Sequence, residues 1–174
     1  MNIHFTRAVA ILTTLAQFSV PVVAKSAGET LSANVGEFAW GAPRKGFAIG
    51  VKPMAVSELS SGSIMAVVAI ENLAGRPVSI QRQFAFIDYA YRLIDSGGNA
   101  VAQRSNVHVG GNWSIGGDTL VLHPGQVQSE AVDLSALCKL APGKYTLFVR
   151  RTVMTPKGEP ITELDSRPTA FSIR

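Results

Sequence analysis

The chain has 174 residues, with 16 Lys and Arg against 12 Asp and Glu, a formal charge of +4 and a single cysteine. The basic residues are scattered, pairing only at Arg44-Lys45 and Arg150-Arg151. No basic run is interleaved with aromatics, which argues against a nucleic-acid partner. One cysteine, Cys138, excludes an intrachain disulfide framework.

The first residues read as a targeting segment rather than as part of a fold. A short polar start with Arg7 leads into an apolar run from Ala8 to Val23, and Val22 and Ala24 place small residues at minus three and minus one. That order is the signature of a secretory signal peptide over 1–24, cleaved after Ala24. Thr13, Thr14, Gln17, Ser19 and Pro21 interrupt the run, which falls short of the ~20 apolar residues a membrane span requires. No cysteine stands at the cleavage site to carry a lipid. The expected destination is therefore the periplasm or the exterior, with no stable membrane span after cleavage. The remaining ~150 residues suffice for one domain that buries about two thirds of its unfolded surface.

Residues 25–45 are small, polar and Gly/Ala-rich and read as an N-terminal tether, able to dock through Phe38 and Trp40. From 46 to 174, short apolar runs alternate with turn signals at roughly ten-residue spacing, the rhythm of an all-β sandwich or barrel. Expected strands are 47–52, closed by Pro53; 63–70, apolar on both faces like a central strand; and 78–84, returning after the turn Asn72 to Pro77. In 87–93, Ile87, Tyr89, Tyr91 and Leu93 alternate with polar or small residues, so one face is buried. The loop Asp95 to Asn99 makes a hairpin with 100–104, since Gly and Asn tolerate positive φ.

Residues 105–118 form a long Gly-rich segment. Strands are expected again at 119–122, 126–134, 145–154 and 170–174, with one helical turn over 134–139. Tyr145, Leu147 and Val149 share one face of the long strand, with Phe148 on the other. Before that strand, Pro142 presets φ and Gly143 is expected at positive φ. Leu140 then plugs the open end of a sandwich, and the Tyr145 hydroxyl reaches back to the backbone upstream. This is a tyrosine corner.

The stretch "LAPGKYTLFVRR" resembles the corner before the penultimate strand of fibronectin type III and related immunoglobulin-like domains. "AIENLAGRPVSI" is similar to a second-to-third-strand connection in bacterial exported sandwiches of that kind. The resemblance covers about 46–174, although the chain lacks the cysteine pair and third-strand tryptophan of antibody-type domains. It implies a single immunoglobulin-like Greek-key β-sandwich of about 7–9 strands and a binding or accessory role, and it implies no catalytic residues.

Few residues stand in patterns that carry chemistry. His108, His123 and Cys138 form no pair at metal-ligand spacing, and acidic residues do not cluster as in a calcium loop. Ser114 lacks the glycine two residues upstream that a nucleophile elbow requires. The Gly-rich segment is not followed by the Lys-Ser/Thr of a phosphate cradle. No cofactor is expected. Glu159, Glu163 and Asp165 read as a solvated hairpin face, and Arg150-Arg151 as charges blunting a sheet edge. Cys138, among Leu134, Leu137 and Leu140, reads as a buried small hydrophobe.

Binding remains. Trp113 in a Gly-rich loop, with Asn112 and His108 nearby, is the candidate contact for a partner, since tryptophan is enriched at interface hot spots. The expected function is that of a non-catalytic exported module binding a protein. The alternatives are a carbohydrate- or cell-wall-binding module, in which Trp113 stacks on a sugar, and a protease inhibitor presenting the loop. A small hydrolase using Ser114 is a further rival.

Overall fold

The computed structural model describes residues 37–54, 63–83, 85–103 and 117–174. The elements are β1 (Ala39–Trp40), β2 (Phe47–Pro53), β3 (Met65–Asn72), β4 (Val78–Arg82), α1 (Ala85–Asp88), β5 (Tyr89–Asp95), β6 (Asp118–Leu122), β7 (Val127–Asp133), α2 (Leu134–Leu137), β8 (Gly143–Met154), β9 (Pro160–Asp165) and β10 (Thr169–Ile173). The fold is all-β, with ten strands in antiparallel sheets among the described residues. One sheet has the order β1-β2-β3-β7, a second β10-β8-β5, with β9 also on β8, and β4 pairs with β6. No helix among the described residues is long and apolar enough to cross a membrane.

Side-chain alternation builds the core. Phe47, Ile49 and Val51 of β2, Ala66, Val68 and Ile70 of β3, Tyr89, Tyr91 and Leu93 of β5, and Leu147, Val149 and Val153 of β8 all join one buried cluster. Each set falls on one parity of its strand, as the two-residue period demands. β3 lies between β2 and β7, and its other face also carries buried residues, Val67 and Ala69, under Phe38 and Trp40. Its apolar character on both faces thus matches a central strand covered on both sides.

The N-terminal hairpin begins inside the stretch read as a tether. Ala39 registers with Val51 and Trp40 with Gly50. A Cβ on Gly50 would stand 2.9 Å from the Trp40 ring and from Phe38 Cβ, so a bare backbone there lets the two aromatics lie on the sheet. Gly41 packs against the Asp165 carbonyl, and Arg167 N donates to Ala39 O at 3.3 Å. β1 therefore links the edge of the first sheet to the β9–β10 edge of the second.

Several local expectations change. β4 does not return along β3; it crosses to pair with β6. Asn72, fully buried, directs that departure: its amide donates to Arg76 O and Leu122 O at 2.9 and 2.8 Å, and its Oδ1 accepts from Ala74 N at 2.9 Å. Residues 100–103 make isolated bridges at Ala100 and Gln103 instead of a strand. β9 is a strand in its own right. With β5 on one edge of β8, both β9 and β10 run along the other edge. At the break between them, Ser166 N donates to Val149 O at 2.8 Å and Ser166 Oγ accepts from Val149 N at 3.2 Å, so the side chain continues the ladder.

The corner before β8 forms as expected at Tyr145 and differently at Gly143. The Tyr145 hydroxyl donates to Ala141 O at 2.8 Å and accepts from Ala141 N at 3.2 Å. Its ring stacks on Phe171 with centroids 5.6 Å apart, and Leu140 is half-buried against the core. Gly143, however, is absent from the positive-φ residues, which include Gly46, Gly98, Gly125 and Gly158. It already pairs with Ile173 as the first residue of β8, so the extended ladder sets its backbone. α2 is capped by Asp133, whose carboxylate accepts from Ser135 N and Ala136 N.

Candidate functional site

A cleft of about 340 Å³ opens on the outward face of the second sheet. Gln81 and Gln83 at the end of β4 and Ile87 and Asp88 of α1 form one side. Ala90 of β5, with Arg150, Thr152 and Met154 of β8, forms the floor, and Glu163 of β9 the far side. The pleat puts Arg150, Thr152 and Met154 on one face because they are spaced by two.

The odd-numbered residues of β8 face inward, and the parity that buries Leu147 and Val149 also buries Arg151, which is 3% exposed. This corrects the reading of Arg150-Arg151 as a solvated edge: β8 is an interior strand with neighbours on both edges, and only Arg150 is solvated. Burying a guanidinium requires partners. Arg151 donates to the Tyr89 hydroxyl at 2.8 Å, to Asp88 Oδ2 at 3.0 Å and to Gln81 O at 3.3 Å, and its charge lies 4.7 Å from the Tyr89 ring centroid. Its Nε is buried without a hydrogen-bond partner. Burial acts to lower the Arg151 pKa, but Tyr89 and Asp88 outweigh it and hold it above the usual guanidinium value.

Asp88 Oδ2 also accepts from Gln83 N at 3.1 Å. Arg151 and Asp88 thereby pin α1, the interruption at which the chain passes from β4 to β5. A second inward pair, Arg82 to Glu130 at 2.9 Å, ties β4 to β7. Tyr91 donates to Ala85 O at 2.8 Å and anchors the other end of α1. Burial pushes the hydroxyl pKa values of Tyr89 and Tyr91 upward.

At the mouth of the cleft the charges satisfy one another. Arg150 donates to Asp165 at 2.7 Å and lies 3.3 Å from Glu163, and its hydrogen bond to Asp165 raises its pKa. Glu163 and Asp165 thus lie on an exposed face as expected. Farther along the same face, Arg92 covers Phe148 at 4.4 Å from the ring centroid. Thr152 and Met154 remain exposed, Met154 at 37%.

The candidate contacts His108, Asn112 and Trp113, and Ser114 with them, lie outside the described residues. The chain re-enters the described region at Gly117, where a Cβ would stand 2.7 Å from Arg82 O and 2.9 Å from Gln81 Cγ. β6 therefore starts against the Gln81 wall of the cleft. His123 lies in the exposed turn before β7, where its N–H donates to Gln126 Oε1 at 2.9 Å. Cys138 is buried at 1% exposure, beside buried Leu134 and Leu137. Among the described residues, no three His, Cys, Asp or Glu side chains gather closely enough to hold a metal.

Sequence reasoning missed the cleft. Extending the alternation of Tyr145, Leu147 and Val149 by one step would have placed Arg151 inside and exposed the need for an acidic partner. Nothing local marks Asp88 as that partner.

No known protein family matches the chain, and no curated protein does. The X-ray structure of Northeast Structural Genomics Consortium target SoR45 is similar over 75% of this chain and 89% of that one, at 15% identity and a TM-score of 0.45.

Proposed function

We propose that the chain is an exported, non-catalytic immunoglobulin-like module that binds a protein partner through the β5–β8–β9 face. The observation that carries this reading is the cleft's mouth. Its charged groups are already matched, Arg150 by Asp165 and Glu163 and Asp88 by Arg151. What it offers outward are the side chains of Gln83 and Thr152 and the thioether of Met154. Its exposed charges are internally paired rather than free, and an exposed methionine beside them is of the residue type enriched at protein contacts. The Tyr145 corner and the pairing of β8 with β5 on one edge and β9–β10 on the other support the immunoglobulin-like assignment. Asn112 and Trp113, which lie outside the described residues, remain contact candidates from the sequence alone.

Photo-crosslinking in the native compartment tests the proposal, with the crosslinker at Thr152 and, as control, at exposed Lys144. The expected result is one protein adduct from position 152, lost with Met154→Glu and weakened by Trp113→Ala. Glycan capture without a protein adduct, or adducts equal at both positions, would overturn it. Export is tested separately by intact mass: the recovered chain begins at Lys25, and a recovered Met1 refutes cleavage.

A further inference from the structure

The arm that precedes β2 is attached in a way that permits exchange. Phe38, 6% exposed, and Trp40 lie in a groove on the outer faces of β2 and β3, floored by Gly50, Val67 and Ala69. The arm's other ties include the two-residue β1 ladder, packing of Ala39 on the core, Gly41 N to Ile49 O at 2.9 Å, Arg167 N to Ala39 O at 3.3 Å, and an ion pair between Glu37 and Lys52. Every one of these can be made equally by an arm from another molecule.

The hinge that keeps the arm on its own chain carries a local penalty. Arg44 and Phe47 exchange both backbone hydrogen bonds, at 2.9 and 3.0 Å, around Lys45-Gly46. Both central residues have positive φ, 51° and 81°, the sign pattern of a type I′ turn. Such turns favour Asn-Gly, whereas here the first position holds Lys45, the one non-glycine with positive φ among the described residues. Opening the hinge returns that lysine to an ordinary conformation, and a partner's arm restores the Arg44–Phe47 pair; the bond from Leu73 N to Gly46 O at 2.7 Å is the hinge contact it does not itself supply. Exchange of an identical element between protomers is a low-cost route to a two-fold dimer, and hinge loops under strain invite it.

We propose that residues 37–44 exchange between two copies of this chain, each copy's Phe38 and Trp40 filling the other's groove and each Glu37 meeting the other's Lys52. The surface differs from the cleft face and does not depend on it.

The test mixes two purified full chains, Glu37→Cys and Lys52→Cys, after joint unfolding and refolding, and treats them with a short bis-maleimide. Wild-type chain, in which Cys138 is 1% exposed, is the background. The expected product is a covalent dimer that appears only in the mixture. Lys45→Asn in both chains, which suits the turn, should lower its yield about tenfold per hinge, the equilibrium equivalent of one side chain's penalty in the left-handed region. The double variant in one chain is the positive control, since it crosslinks internally if the arm closes on its own groove. Internal crosslinking with no dimer in the mixture overturns the proposal, and so does a dimer whose yield ignores Lys45→Asn.

Discussion

Two tyrosines offer a matched pair of perturbations. Tyr91→Phe and Tyr145→Phe each delete one hydroxyl and keep the ring. The Tyr91 hydroxyl donates to Ala85 O at 2.8 Å, and both residues are buried, at 5% and 6% exposure. Its loss leaves a carbonyl that water cannot reach, a penalty of about 1–3 kcal/mol. The Tyr145 hydroxyl makes a bond of the same length to Ala141 O, but Ala141 is exposed. Water replaces the missing partner there, so the cost falls to about 0.5–1.5 kcal/mol. This is smaller than a fully buried tyrosine corner would imply. For a domain near 150 residues, each kcal/mol corresponds to roughly 2–4 °C in Tm. Urea unfolding followed by far-UV circular dichroism supplies both midpoints, with unchanged slopes confirming that only stability moved. Tyr91→Phe should be the more damaging by about 1 kcal/mol. A Tyr145→Phe cost equal to or above that of Tyr91→Phe would refute the reasoning.

Arg151→Met should cost about 3–5 kcal/mol by stranding Asp88, and adding Asp88→Asn should recover part of it; a change under about 1 kcal/mol on denaturant unfolding would count against the pin. Gly41→Ala places a Cβ 1.7 Å from the Asp165 carbonyl oxygen, so it should lower stability by at least about 1–3 kcal/mol. Gly75→Ala, with nothing within 4 Å, should leave the Tm unchanged and serves as its control. Tyr89 and Tyr91 have pKa values raised by burial, so the folded state holds their protons more tightly than the unfolded one. Their contribution is complete below the ordinary tyrosine value of about 10 and is lost as pH rises beyond it. Alkaline titration monitored by tyrosinate absorbance should show these two ionising only with unfolding. Reversible ionisation of all three tyrosines in the folded protein would contradict their burial.

Much of the architecture was legible because strand alternation is a local property. β2, β3, β7 and β8 were readable within two or three residues, and the apolar character of 63–70 on both faces pointed to the central strand. The Tyr145 corner was readable too, since a proline, a glycine and a tyrosine at that spacing constrain one short piece of backbone. The cleft was not legible. It exists because β4 leaves β3 for β6 and because α1 interrupts the passage to β5, and both depend on contacts between residues far apart in the chain. Asn72 to Leu122 and Arg151 to Asp88 are such contacts.

By itself the sequence determined an all-β chain, its main strands, their buried parity and the position of the corner, because each follows from the two-residue period and from turn residues acting over a few positions. Only the tertiary structure decided which strands neighbour one another, that Arg151 is a core residue, that Gly143 is extended and that Phe38 and Trp40 belong to the packed fold. Each of those depends on which distant group arrives to receive a charge, a hydrogen bond or a ring, and no local pattern carries that information.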